Sequence, residues 1–408
     1  MAYFPKIYTQ NADSPSVDAF GRLRVSTPTT LFDSKQTADT RSILWSDKFT
    51  LNASASHTVA RASTVLTCSS TVGSTAIRQS KMLAPYQPGK SLLCMTTQVF
   101  GPSVAGVRKR VGLFNERNGV FLEDNGGNVN VVMRSSVTGT PVDQVITQSS
   151  WNLDTLNGSG SSGINADLTK AQILFFDIQW LGAGRVRAGM EFNGLLTYFH
   201  QFNGANVSSS VYMSTPNLPV RYEIANVSAV TNGTFEQICS SLQSEAGYEP
   251  TRPIFAADRG ITVLSGATNA GLSAVMSMRL KANYTGSFVV PKGGSIFCTT
   301  NATNGFRWAL LMNPTQGVDG ASWVPVLSSS VEYDISRTSA ANQLLTGGIL
   351  LSSGYGNNTL EVALTPEFEW QQLGSTIDGV TDQIVLAVQV VGGTTESFLG
   401  NISWKEFS

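Results

Sequence analysis

The feature that most constrains the fold lies within residues 170–224, where the dipeptide Asn193-Gly194 stands between two apolar runs. A type I′ turn requires positive φ at both central residues, so an Asn-Gly pair in this setting predicts a β-hairpin. Residues 185–192 would form its first strand and residues 195–202 its second. Residues 171–180, rich in β-branched and aromatic side chains, predict one more strand before them. Together the three runs predict an antiparallel meander.

The same character continues on both sides of this stretch. From Ile43 to about Ala246, short apolar runs alternate with turn-forming pairs such as Pro88-Gly89 and Asn118-Gly119. Strands at this spacing predict an all-β sandwich or barrel, and roughly 200 residues favour a two-sheet, jelly-roll-like sandwich. Residues 235–242 (FEQICSSL) are the best helical candidate, although they also fit a strand.

A second unit is predicted after the linker-like residues 247–253 (GYEPTRP). Further short apolar runs and turn pairs such as Gly392-Gly393 continue to Ser408, which predicts another antiparallel β-sandwich. The sequence therefore indicates an all-β protein of two sandwich domains, residues 43–250 and 251–408. An extended N-terminal arm, residues 1–42, precedes them.

The arm shows neither strand nor helix periodicity, and three prolines interrupt it. Such a segment cannot close a core of its own, yet its isolated apolar side chains are more numerous than a solvated tail would need. We predict that it docks on a neighbouring protein; the alternative is a flexible terminus. The predicted docking residues are Phe4, Phe20, Arg22, Leu23, Arg24, Leu31 and Phe32.

Charge and composition argue against several classes of partner. Charged residues make up 13% of the chain, compared with roughly 25% in typical soluble domains, and the net charge is −1. No long-range field would attract nucleic acid or an anionic membrane. We identify no signal peptide and no apolar run of the roughly 18 residues that a membrane span needs. A surface this poor in charge suits burial in an assembly.

No motif predicts a metal, a cofactor or a catalytic centre. The four cysteines lack metal-ligand spacing, and Cys94 and Cys239 lie in apolar surroundings typical of buried thiols. Of the two histidines, His57 and His200, the second stands among aromatic residues and is interpreted as a packed side chain. Phosphate-binding loops and nucleophile elbows are not found.

Three groups of charged residues are candidates for chemistry. Glu367-Phe368-Glu369 is the one close carboxylate pair that resembles a glycosidase pair within a plausible strand, but a polar edge strand is the simpler interpretation. Asp177 and Glu191 are expected to pair across strands with Arg185 or Arg187. The run Arg108-Lys109-Arg110 is too short, in a neutral protein, to predict a nucleic-acid site.

Exposed aromatic residues would suit a glycan or protein interface. The candidates are Tyr212, Tyr222, Tyr248 and Tyr355. For a glycan, the predicted contacts are Tyr355 and Trp370, the latter because it follows the carboxylate pair.

Several long strings resemble one protein family. They are DAFGRLRVSTPTTLFDSKQ (18–36), WNLDTLNGSGSSGINADLTKAQILFFDIQWLGAGRVRAG (151–189), HQFNGAN (200–206) and YMSTPNLPVRYEI (212–224). They resemble a family of virion structural proteins of tailed bacteriophages, densely from Asp18 to about Pro250 and more loosely afterwards. The resemblance implies a particle component, assembled in the host cytoplasm, with no established catalytic residues.

The favoured hypothesis is a non-enzymatic structural protein of the virion, either a head decoration or minor capsid protein or a tail protein. Its partners would be other virion proteins and copies of itself, with a trimer expected. One alternative is a tail adhesin that binds a host surface glycan through loops of the second domain. The more remote alternative is a glycan depolymerase that uses Glu367 and Glu369.

Overall fold

The protein is built almost entirely of β-strands that pair antiparallel, in a computed structural model that describes most of the chain. The chain divides into two compact units, Met1–Glu249 and Pro250–Ser408. Regular helix in the described residues is limited to single 3₁₀ turns at Val59–Arg61, Gln148–Ser150 and Ala282–Tyr284. The predicted all-β fold class is confirmed. The described residues are 27–228, 231–249, 252–284, 286–300, 305–316, 321–340, 344–363, 372–392 and 395–407.

Unit 1 is a sandwich of two sheets. Its strands are β1 (Thr29–Lys35), β2 (Trp45–Thr50), β3 (Ser54–Thr58), β4 (Ser63–Cys68), β5 (Thr75–Leu83), β6 (Leu92–Val99), β7 (Val107–Phe114), β8 (Gly119–Asn125), β9 (Asn128–Ser135), β10 (Val142–Thr147), β11 (Ala171–Ile178), β12 (Arg185–Phe192), β13 (Leu195–Asn203), β14 (Pro219–Asn226) and β15 (Gly233–Ser244). The eight-stranded sheet has the order β13-β12-β11-β6-β15-β4-β3, with β1 also paired to β15. The seven-stranded sheet has the order β10-β9-β8-β7-β14-β5-β2.

Alternating side chains of the two sheets fill one apolar core. Leu174 and Phe176 of β11 point into it from one sheet, and Val111 of β7 and Tyr222 of β14 point into it from the other. Successive side chains of a strand face opposite sides, so the residues between them lie on the outer faces. A separate small cluster of Phe114, Phe121 and Val132 packs on the outer face of the seven-stranded sheet.

The predicted meander is present as β11, β12 and β13. Asn193 and Gly194 join the last two strands with φ of 54° and 84°, as a type I′ turn requires. Of the two interpretations open for residues 235–242, the strand is correct and the helix is wrong, because β15 runs through them and hydrogen-bonds to β6, β4 and β1. Pairing on both edges outweighs the weak helical pattern of that segment.

The predicted arm extends too far along the chain. Its last part forms β1, where Leu31 and Phe32 are only 4% and 6% exposed and belong to the core of unit 1. A register irregularity between Thr30 and Phe32 lets two consecutive side chains face inward. The interpretation of Leu31 and Phe32 as docking residues is therefore corrected. Phe4, Phe20, Arg22, Leu23 and Arg24 lie outside the described residues.

Unit 2 has the same construction on a smaller scale. Its strands are β16 (Ile254–Asp258), β17 (Leu264–Ala267), β18 (Ser273–Leu280), β19 (Phe288–Cys298), β20 (Phe306–Met312), β21 (Val324–Pro325), β22 (Val331–Asp334), β23 (Ile349–Gly356), β24 (Thr359–Ala363), β25 (Gln383–Val390) and β26 (Glu396–Phe407). A five-stranded sheet has the order β16-β26-β19-β24, with β17 paired to β26, and a six-stranded sheet has the order β21-β22-β18-β25-β20-β23. Residues of both sheets share one apolar core.

Candidate functional site

Two of the strings that carry the family resemblance meet in space. The indole N–H of Trp180 donates to the carbonyl of Met213 at 3.1 Å. The hydroxyl of Tyr212 donates to the carbonyl of Gln179 at 3.0 Å, and its backbone N–H donates to the carbonyl of Gly182 at 3.0 Å. We call this region, residues 179–185 with residues 204–213, the motif junction. Its contacts hold the two strings together in the fold of unit 1.

The turn of the motif junction holds one residue in an unusual backbone conformation. Leu181 has φ of 37°, in the left-handed region that residues other than glycine rarely adopt. Its N–H donates to the hydroxyl of Tyr86 at 3.1 Å, and the N–H of Gly184 donates to the carbonyl of Trp180 at 2.8 Å. These bonds fix the turn, although the Leu181 side chain gains no burial from it.

The same region exposes apolar side chains to solvent. Leu181 is 62% exposed, Val207 is 73% exposed and Val211 is 40% exposed. Apolar side chains that are left exposed together suit contact with another protein. None of these three residues was singled out from the sequence, because their exposure depends on the turn conformation.

The outer face of the seven-stranded sheet carries a dense network of charges. Arg110 lies between two carboxylates, with its Nε 2.7 Å from Glu123 Oε2 and an Nη 3.5 Å from Glu223 Oε1. Arg221 donates to the second oxygen of Glu223 at 2.7 Å. The guanidinium of Arg110 also lies over the ring of Phe121, at 4.9 Å from its centroid. These buried charges neutralise one another within the sheet.

Glu123 and Glu223 are two carboxylates on one face of the sheet, on the strands either side of Arg110, so the protonation of Glu223 decides whether they could act as a glycosidase pair. Burial raises the pKa of Glu223, but the guanidiniums of Arg221, Arg110 and Arg108 outweigh burial and hold that pKa below its usual value. A general acid must instead keep its proton near neutral pH. With one guanidinium between the two carboxylates, the pair is suited to stabilising the sheet.

The basic run at residues 108–110 is divided between the two faces of the sheet. Lys109 is 1% exposed, and its ammonium donates to the carbonyls of Phe100 at 2.5 Å and Pro102 at 2.8 Å. Burial lowers the pKa of Lys109. Since Arg110 is engaged by carboxylates on the opposite face, the run does not form a continuous cationic surface.

His200 is a packed residue, as its aromatic neighbours predicted. It is 5% exposed, its ring contacts Phe202, and its Nδ1 accepts the backbone N–H of Asn152 at 3.2 Å. Burial lowers the pKa of His200 to about 4. The side chain of Asn152 also bonds to both backbone groups of Gln201, at 2.9 Å each, and so covers part of the β13 edge. The hydrogen bonds of His200 and Asn152 therefore stabilise the fold of unit 1.

The predicted cross-strand pair in the meander is confirmed. Asp177 stands opposite Arg187 in the register of β11 and β12, and the Nε of Arg187 donates to Asp177 Oδ2 at 2.8 Å. The Arg187 guanidinium also lies over the Tyr198 ring, 4.2 Å from its centroid. The prediction for Glu191 differs, because that carboxylate accepts the backbone N–H of Gly194 in the hairpin turn.

The remaining sequence candidates are scattered. Tyr355 is 75% exposed on β23, whereas Trp370, Glu367 and Glu369 lie outside the described residues. Tyr222 is no surface candidate, because it is fully buried and its hydroxyl contacts the carbonyl of Cys239 at 3.1 Å. Tyr212 and Tyr248 are half-buried.

Cys239 is exposed, contrary to the prediction of a buried thiol, because it follows a register irregularity of β15. Within the described ranges, no three His, Cys, Asp or Glu side chains come together as metal ligands. No helix in the same ranges is long and apolar enough to cross a membrane.

Comparisons with known proteins add little to this description. No protein-family model matches the chain, and no curated protein matches it. Among solved structures, it is similar to a β-glucanase of Bacillus licheniformis, with a TM-score of 0.35 and 12% identity over 52% of this chain and 96% of that one. It is also similar to a legume lectin-like domain of Entamoeba histolytica, with a TM-score of 0.32 and 9% identity over 53% of this chain and 98% of that one. Scores this low support no inference about activity.

Proposed function

We propose that the chain is a non-enzymatic structural component of a tailed-bacteriophage virion. In this proposal its N-terminal residues dock on the particle, and its β-sandwich units are exposed as a head decoration, minor capsid or tail-associated protein. The observation that carries the proposal is the motif junction. The strings that resemble virion proteins form one hydrogen-bonded structure, through Trp180 with Met213 and Tyr212 with Gln179.

The chemistry of unit 1 supports a structural role over a catalytic one. The carboxylates Glu123 and Glu223 are paired with arginines. The pKa of Glu223 is lowered, whereas a carboxyl that acts as a general acid needs a raised pKa. The Nδ1 of His200, the buried histidine of the two, already accepts a hydrogen bond from the backbone N–H of Asn152. The exposed apolar side chains at Leu181, Val207 and Val211 suit contact with neighbouring virion proteins.

Removal of residues 1–26 tests the docking role. The deletion must stop before β1, because loss of Leu31 and Phe32 would damage the core of unit 1. The tagged chain, with and without residues 1–26, would be produced during infection, and purified particles would be assayed by quantitative mass spectrometry. We expect the full chain in particles and at least a tenfold loss of the truncated chain.

Two outcomes would contradict the proposal in different ways. If the full chain is absent from purified particles, it is not a virion component. If the truncated chain enters particles as well as the full chain, the N-terminal residues are not the docking element. An equal melting temperature of the two purified chains is the control for folding. An antibody fragment against unit 2, imaged on particles by cryo-electron microscopy, would separate a head position from a tail position.

A further inference from the structure

A groove of about 200 Å³ lies on the outer face of the five-stranded sheet of unit 2. The end of β16, the last part of β19 and the first half of β26 line it, and the side chains that matter below are Asp258, Phe297 and Asn401. These residues are far apart in the sequence. The strand register brings them together, since Asp258 stands opposite Asn401, and Asn401 stands opposite Ser295.

The register also separates a polar row from an apolar one. Asp258, Asn401 and Ser295 form the polar row across three strands, and Phe297 stands opposite Leu399 two residues further along. Residues two apart in a strand share a face and lie roughly 6–7 Å from each other. The groove therefore offers hydrogen-bonding groups beside an aromatic ring that is 46% exposed.

One donor and one acceptor in the polar row remain available to a ligand. Asn401 Oδ1 accepts from the Ser295 hydroxyl at 2.9 Å and from the Ser295 backbone N–H, which fixes the orientation of its amide. No partner for Asn401 Nδ2 is found within the described ranges. Asp258 Oδ1 accepts the N–H of Gly260 at 2.6 Å, and Oδ2 is likewise without a partner there.

The turn that carries Asp258 is held rigidly by its neighbour. Arg259 is 1% exposed and donates to the carbonyls of Thr262 at 2.7 Å and Arg337 at 2.8 Å. Arg259 also lines the groove, but its guanidinium donates to these carbonyls, so its charge serves the interior of unit 2. Because Arg259 fixes the backbone that carries Asp258, less ordering of this turn is required when a ligand binds.

We propose that this groove binds one neutral hexopyranose ring. The apolar face of the sugar would stack on Phe297, and two neighbouring hydroxyls would bond to the Asp258 carboxylate and the Asn401 amide. The free carboxylate disfavours anionic sugars, and a space below the roughly 300–1,000 Å³ of drug-sized sites fits a single ring. The site differs from the predicted contacts Tyr355 and Trp370. The inference is independent of the particle role proposed above.

Saturation-transfer NMR on the full chain tests the site. The probes are the methyl glycosides of glucose, galactose, mannose and N-acetylglucosamine, at millimolar concentration. We expect saturation transfer to at least one of them. Phe297→Ala should weaken that binding at least tenfold by removing the stacking surface. Asp258→Asn keeps the acceptor for Gly260 and replaces Oδ2 by a donor, and it should weaken binding by a similar factor.

Tyr355→Ala is the matched control, because it removes an exposed aromatic ring from the other sheet of the same unit. Its affinity should equal that of the unaltered chain. The proposal is overturned if none of the four glycosides shows transfer, or if Tyr355→Ala abolishes binding while Phe297→Ala and Asp258→Asn retain it. Since Asp258 is exposed, Asp258→Asn remains informative even if Phe297→Ala fails to fold.

Discussion

Trp180 and Met213 are joined by a hydrogen bond of 3.1 Å from the indole N–H to a backbone carbonyl. This bond connects the turn after β11 to the segment before β14, and Trp180 also packs edge-on against Tyr86, with centroids 5.9 Å apart. The motif junction thus depends on a side chain that provides both a donor and a large apolar surface.

Two replacements of Trp180 should lower the stability of unit 1 to different extents. Trp180→Phe keeps an aromatic ring but leaves the Met213 carbonyl without its donor, and we expect a loss of about 1–2 kcal/mol in the free energy of unfolding. Trp180→Ala should lose more, about 2–3 kcal/mol, because the removed ring is partly buried against the core of unit 1. Urea denaturation followed by circular dichroism would measure both. Tyr355→Phe is the control and should change stability by less than about 0.5 kcal/mol; equal stability of all three variants would contradict the role of the junction.

Glu223 is predicted to be the most sensitive position of the charged face. Glu223→Gln removes the charge that compensates Arg110 and Arg221, and uncompensated buried charges typically cost about 3–5 kcal/mol. Glu116→Gln is the matched control, because Glu116 also pairs with Arg221 but its side chain is 56% exposed. It should cost no more than about 0.5 kcal/mol. Similar costs for the two variants, measured by urea denaturation, would show that burial does not strengthen the Glu223 pairs.

His200 should make unit 1 less stable in mild acid. Its pKa is about 4 in the folded chain and 6.5 for the free side chain, so the unfolded chain binds the extra proton between these values. Stability should therefore fall as the pH decreases from 6.5 towards 4, by at most about 1.4 kcal/mol per pH unit. Protonation of Nδ1 would also remove the acceptor of the Asn152 N–H. Urea denaturation at pH 7, 6 and 5 should give a steeper decline for the natural chain than for His200→Gln; parallel declines would refute the prediction.

Truncations should reveal where the N-terminal arm ends. A chain starting at residue 27 keeps β1 and should unfold at the same urea concentration as the full chain. A chain starting at residue 36 loses β1, with Leu31 and Phe32, and should be less stable by about 3–6 kcal/mol from lost apolar burial alone. If both truncated chains match the full one, β1 contributes nothing to the core.

The sequence predicted those parts of the fold that local chemistry decides. Asn193-Gly194 specified a hairpin because positive φ at both positions favours that pair, and the flanking strands followed from it. For residues 235–242 the sequence leaves helix and strand open, because their central position between β6 and β4 depends on partners far along the chain. Leu31 and Phe32 were misinterpreted for a similar reason, since an irregular register turns both side chains inward.

The candidate sites were harder to predict than the strands. The pairing of Asp177 with Arg187 followed from two adjacent strands of one meander. The groove of unit 2 could not be predicted in this way, because Asp258 and Asn401 are adjacent only after the last strand returns beside β16. A single residue type at an isolated position does not reveal the register that gives it neighbours.

The pairing of β1 with β15 also has a consequence for synthesis. Thr29 finds its partner at Ser244, more than 200 positions later, so a growing chain on the ribosome cannot close the eight-stranded sheet until almost all of unit 1 has emerged. Contacts this distant slow folding. Until then Leu31 and Phe32 remain uncovered. Each newly made copy would thus pass through a period in which it can associate wrongly, and its production rate in the cell would determine how many copies fold correctly.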